Sequence, residues 1–250
     1  MHTSDSTIDQ RIQAFCRNRY VYGKLLDVYH FELEQDYFNS KRWLINRLVC
    51  GYGVICGLDV HVRRDGRSIE VTRGVAIDKW GREIVVPGTS QPVPLPESPA
   101  HAARPHDECE DEDAVHVCIC YHECLADPVP VLQGECCDGP VCTPGSICER
   151  YSIEFRQGRI PAIDTDCPVP DLVSGNRINY PALANYVSGD CPEPPEDPCI
   201  VLANIDLPDP GKPLDADAIN IAVRPIVYGN DLLHDFLVCL TGRGRPERAK

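Results

Sequence analysis

DVYHFELEQDYFNSKRWLINRLVCGYGVICGLDVHVRRDGRSIEVTRGVAIDKWGREIVVP, residues 27–87, changes its hydrophobic period once, and that change decides the fold. Phe31, Phe38 and Ile45 recur every seven residues, with Glu34, Tyr37, Leu44 and Leu48 in the adjoining turns. This spacing predicts a long helix from about Val28 to Val49 with one apolar side. Asp27 is placed to cap its start. Gly51, Gly53 and Gly57 then break the helix, because glycine takes positive φ without steric cost and lets two backbones approach closely. Beyond them the period is two. Leu58, Val60 and Val62 alternate with Asp59, His61 and Arg63, Asp65-Gly66 reads as a tight turn, and Ile69 and Val71 resume the alternation on a returning strand. Val75–Ile77 and Glu83–Val86 form a second pair of short strands joined by Asp78–Gly81, the DKWG turn. The unit expected is a helix laid against a small antiparallel β-system.

Outward from that stretch, the chain alternates between regular and irregular segments. Residues 7–17, with Ile8, Ile12 and Phe15 on one side, predict a short helix in an N-terminal arm covering 1–26. Residues 91–114 are a proline-rich, acidic linker, and the acidic run Asp107–Asp113 reads as a solvated face rather than a calcium loop, since it lacks the loop's glycine and spaced carboxylates. A cysteine-rich β domain is expected over 115–241. Val115, Val117, Ile119 and Tyr121 alternate with His116, Cys118, Cys120 and His122 on one strand, and Tyr151, Ile153 and Phe155 mark another. Between them lies a cysteine-rich excursion from Cys124 to Cys148, and residues 157–199 offer no sustained helix. Ile200–Leu207 and Ile219–Val227 read as strands, the second demoted by Pro225 to an edge or a bulged strand. Asn230 opens a closing helix that Gly242 ends, and the basic residues 242–250 read as a disordered tail. The fold class expected is mixed α+β, mainly antiparallel β of sandwich or barrel type, with an N-terminal helical layer, a C-terminal helix and long cysteine- and proline-rich loops.

The motifs of residues 26–87 carry a resemblance. The run LxxxxFELEQDYFxxKRWLxNRLVxGxGVxxGLxV, followed by VTRGVAIDKWGREIVVP, resembles a family of accessory proteins encoded with phage tails and phage-tail-like contractile injection systems. The likeness continues weakly at Tyr121–Pro130 (YHECLADPVP) and at Arg224–Leu240 (RPIVYGNDLLHDFLVCL). It implies a structural part of such a particle, at the baseplate or as a tail-fibre or adaptor subunit, held by other tail and baseplate proteins and present in several copies. The motifs are hydrophobic and glycine-based and include no obligatory catalytic residue, so they mark a fold rather than an activity.

Composition narrows the alternatives. A chain of 250 residues, 43% hydrophobic, can bury a sizeable core. With 24 basic against 38 acidic residues and a formal charge of -14, it should repel nucleic acid. The opening MHTSDSTIDQRIQAF lacks the apolar core of a secretory signal, and Leu48–Leu58 is too short and glycine-rich to span a bilayer. Synthesis in the cytoplasm without a signal peptide is the expectation. An extracellular life as part of a released particle is compatible with it.

Fifteen cysteines are the strongest anomaly. Three readings compete. A structural Zn²⁺ would order the 124–148 excursion, with Cys124, Cys137, Cys142 and Cys148 as ligands and Cys136 the competitor for Cys137. Disulfides would staple the proline-rich segment that holds Cys167, Cys191 and Cys199, a pattern that suits a secreted adhesin or carbohydrate-binding module. The plain reading treats free cysteine as a small hydrophobe, and Cys16, Cys50, Cys56 and Cys239 sit at apolar-periodic positions that suit core filling. A thiol nucleophile could be assembled from Cys120 with His116 or His122, as a hydrolase would need, but such neighbours are an expected by-product of a cysteine-rich strand. His30 reads as an end-of-helix residue, and no phosphate loop, serine elbow or HExxH motif occurs. No catalytic or cofactor-binding residue is assigned, and no turnover chemistry is expected.

Overall fold

The computed structural model describes residues 12–96, 114–131, 141–164, 173–174, 177–209 and 211–240. Its architecture is mixed α+β with antiparallel sheets, a helix near each end and a third between. Helix α1 (Val28–Ile45) starts as expected. The Asp27 carboxylate accepts from the His30 backbone N–H at 3.3 Å, and the Asp27 N–H donates to His30 Nδ1 at 3.3 Å, which closes a reciprocal cap. Its last turn widens into a π-helical turn over Asn46–Cys50. Of the helix expected over 7–17, residues 12–17 form none, and residues 7–11 lie outside the described residues; Ile12 is exposed, and a short helix without apolar burial is marginal in water.

The glycine cluster makes a strand as well as a break. β1 (Gly53–Gly57) pairs with β4 (Gly74–Ile77), which pairs with β5 (Glu83–Val86), while β2 (Val60–Val62), β3 (Ser68–Val71) and β6 (Val93–Pro94) form a second three-stranded sheet. Two glycines show why the pattern is glycine-based. A Cβ on Gly57, whose φ is +65°, would lie 2.0 Å from the Arg73 carbonyl oxygen, and one on Gly81 would lie 2.0 Å from that of Trp43. The first close approach lets β1 pair with β4, and the second seats the end of α1 on the DKWG turn. Leu58, fully buried, follows Gly57 at φ +55° and so carries backbone strain within the core.

β7 (Ala114–Val131) and β8 (Val141–Gln157) are much longer than the sequence pattern implied. Within the segment from Cys124 to Cys148, expected to be a loop, residues 124–131 and 141–148 continue both strands as a two-stranded ribbon, with Cys124 opposite Cys148 and Pro128 opposite Pro144. β11 (Ile200–Asp206) pairs with the inner end of β7, and β12 (Ile219–Asn220) completes the four-stranded order β12-β11-β7-β8. The two-residue strands β9 (Val173–Ser174) and β10 (Arg177–Ile178) pair with each other, and a short helix, α2 (Tyr180–Val187), follows them. The sequence offered no sustained helix over 157–199, and α2, 8 residues long, is the short helix that forms there among the described residues. Asn179 caps it and Pro181 sits in its first turn, where a missing N–H costs nothing. The strand expected over Ile219–Val227 shrinks to β12 plus a bridge in which Val54 donates to the Pro225 carbonyl and Val227 to that of Val54. α3 (Asn230–Leu240) closes the described chain, and the acidic run 107–113, Gly242 and the basic tail lie outside the described residues.

One apolar core joins these sheets. Leu58, Ile69, Val71 and Ile84 from the first half pack with Val117, Ile119, Ile200, Leu202 and Ile205 from the second. The two halves separated in the sequence by the proline-rich segment therefore share a single interior.

Candidate functional site

Alternation along β7 sorts its side chains onto two faces. Val115, Val117, Ile119 and Tyr121 point into the shared core, and His116, Cys118, Cys120 and His122 point the other way. On that second face β11 runs antiparallel with Ile200 opposite Ile119, which sets Cys199 beside Cys120. The two form a disulfide with Cα atoms 4.5 Å apart. Cys118, two residues along the same face and 1% exposed, packs against them as a free thiol.

A proline-rich strap, residues 191–198, crosses this face and is held at four places. Arg47 Nη1 donates to the Pro192 carbonyl (2.6 Å), Trp80 Nε1 to that of Pro195 (2.7 Å), and the Lys79 N–H to that of Pro198 (3.0 Å). Asp197 is the fourth anchor. Its carboxylate takes Arg156 Nη1 at 2.7 Å, lies 3.7 Å from Lys79 Nζ and accepts the Cys199 N–H at 3.2 Å. Partial burial pulls its pKa up, but the Arg156 hydrogen bond, the Cys199 N–H and the two cations outweigh it and hold the carboxyl below the usual range. The other arm of Arg156, Nη2, donates to Cys199 Sγ at 3.2 Å and reaches Cys120 Sγ at 3.7 Å and Glu154 at 3.3 Å.

The DKWG turn supports the strap from below. Asp78 is fully buried, its Oδ1 accepting the N–H groups of Trp80 (2.9 Å) and Arg82 (2.8 Å) and its Oδ2 accepting Arg82 Nε (2.7 Å). Burial still raises the Asp78 pKa. The Arg82 guanidinium stacks between the Trp80 and Tyr121 rings, 4.6 and 4.5 Å from their centroids, and so couples the turn to β7. Asn46 Nδ2 donates to the Gly81 carbonyl and to Glu83, and Arg42 pairs with Glu83 at 3.2 Å, which ties the end of α1 to the same turn.

This arrangement is a staple rather than a nucleophile and its base. Cys120 is bonded to Cys199, His116 Nδ1 is engaged with the Gly158 carbonyl, and burial pushes the Cys118 thiol up to about 11, so at neutral pH it stays protonated. The guanidinium touching both sulfurs would stabilise whichever thiolate formed on reduction.

The three predicted zinc ligands that are described, Cys124, Cys142 and Cys148, do not converge. Cys124 and Cys148 face each other across the ribbon, but Cys142 stands opposite Pro130, six residues from Cys148 and therefore about 20 Å along the strand. One tetrahedral ion cannot reach all three. Cys137 and its competitor Cys136 lie outside the described residues. Among the described residues no three His, Cys, Asp or Glu side chains form a metal-sized group. Cys16, Cys50, Cys56 and Cys239, expected in the core, are all exposed, and among the described residues the buried free thiol is Cys118. Cys199 was visible in the sequence as a candidate for a disulfide, but its partner was not. No helix among the described residues is long and apolar enough to cross a membrane. No protein-family model, curated protein or solved structure matches the chain.

Proposed function

We propose that the chain is a structural assembly component of a phage-tail-like contractile injection particle, placed at the baseplate or as a tail-fibre or adaptor subunit and held by other tail and baseplate proteins, with no turnover chemistry of its own. The observation that carries this reading is the orientation of α1. Trp43 and Arg47 face inward, whereas Phe31, Phe38 and Ile45 face solvent at 53%, 63% and 53% exposure. An apolar line kept off the core on a helix held to the body at its C-terminal end suits a surface that neighbours cover. The motif resemblance of residues 26–87 points to the same class of protein. The test is co-sedimentation: in lysates of the producing cell the chain should travel with assembled sheath and tube in fixed stoichiometry, and its recovery only as free protein would refute the reading.

A second reading has an observation of its own. The Cys120–Cys199 disulfide favours an oxidising destination, as for a secreted, disulfide-stapled adhesin or carbohydrate-binding module. Thiol titration separates the two. The assembly reading expects thirteen of the fifteen cysteines to titrate once the protein is denatured, with Cys118 reacting only after unfolding. Six or seven bridges would favour the adhesin.

A further inference from the structure

The outward face of α1 is self-complementary, and we infer that it docks antiparallel on the same helix of a second copy of this chain. With 3.6 residues per turn, positions 31, 38 and 45 drift only about 20° per step, so Phe31, Phe38 and Ile45 form one nearly straight line opposite the anchored side that carries Trp43 and Arg47. Glu34 flanks this line on one side of Phe38, and Lys41 flanks it on the same side, one turn beyond. A two-fold axis through Phe38 places Phe38 on Phe38, Phe31 on Ile45, and Glu34 of each copy beside Lys41 of the other. Both apolar ends are then covered and both charges are paired with their opposites. Parallel docking in register instead turns the Glu34/Lys41 flank of each copy toward the Gln35/Arg42 flank of the other, so Glu34 loses its cation and Lys41 is set beside Arg42. Charge therefore selects the antiparallel partner.

The local contacts leave these groups available. Glu34 accepts from the exposed Tyr20 hydroxyl, and Lys41 lies over the Tyr37 ring, but neither is tied to the core. Arg42, on the other flank, is turned toward Glu83 and belongs to the anchor rather than to the docking face.

Sedimentation velocity on the isolated full chain tests the pairing. The native chain should dimerise at tens of micromolar, Glu34→Lys and Lys41→Glu should each weaken self-association at least about tenfold by setting like charges together, and an equimolar mixture of the two variants should restore the dimer. Phe38→Glu, at a solvent-facing position, should abolish it with unchanged circular dichroism. A native chain that stays monomeric at hundreds of micromolar overturns the inference, as does a dimer indifferent to both charge reversals. A photo-crosslinker at position 38 of the otherwise native chain reports on the same contact without relying on variants: capture of residues 31–45 of a second copy supports it, and capture of α3 or of nothing refutes it. The pairing does not rest on the particle assignment. A monomer that still co-sediments with particles refutes the pairing alone, and a dimer that never does refutes the particle alone.

Discussion

The inner and outer halves of β7 belong to one continuous strand and have opposite fates. From Ala114 to Cys120 every residue is buried, because β11 and β8 flank the strand, the core covers one face and the 191–198 strap covers the other. From His122 onward only β8 remains beside it, and Leu125 and Ile147, paired across the ribbon, are 71% and 62% exposed. The ribbon extends about 30 Å beyond the sheet. Pairing with β8 makes both halves strand. The number of neighbours decides whether it is core.

Truncations on the two halves should break or confirm this contrast most sharply. Ile119→Ala, at a fully buried site, should cost about 2–5 kcal/mol in denaturant unfolding, whereas Leu125→Ala on the ribbon should stay within about 0.5 kcal/mol. Equal costs would mean that the ribbon is covered in solution. Next comes the staple. The Cys120–Cys199 bond closes a loop with a sequence separation of 79, so replacing both by Ala should cost about 2–4 kcal/mol. The matching pair of replacements at Cys124 and Cys148 should be close to neutral. Smaller again is the Asp197 anchor. Its carboxyl is held below the ordinary aspartate range, so its contribution is present above about pH 4 and is lost as pH falls through the lower folded value. Asp197→Asn should lower stability at neutral pH by about 0.5–1 kcal/mol, a figure reduced by the solvent around this half-exposed ion pair, and should flatten the acid limb of the stability profile.

The same contrast explains what could be read from the residues alone. The strands through Val60–Val62, Ser68–Val71, Gly74–Ile77, Glu83–Val86 and Ile200–Asp206, and both terminal helices, follow from period and capping signals that act locally. The α1 stripe was equally legible, but its direction was not. The π turn at the end of α1 is fastened by Asn46 on the Gly81 carbonyl and Arg47 on the Pro192 carbonyl, so hydrogen bonds to distant backbone, which no apolar period encodes, set how the helix end is turned. α2 was hidden because Pro181 reads as a breaker until its place in the first turn is known. The Cys120–Cys199 pair depends on the register of β11 against β7, which no local spacing encodes. Cys124 and Cys148 were singled out together, but as zinc ligands, because an excursion of that length without periodicity resembles a loop more than a ribbon.

Hydrogen exchange on the chain free at low micromolar concentration and within assembled particles tests the central claim directly, namely a finished core carrying surfaces that wait for neighbours. The account predicts strong protection of Ala114–Cys120 in both states, and protection of Val28–Ile45 that rises only on assembly. Full protection of α1 in the dilute free chain, or no gain within particles, would contradict it.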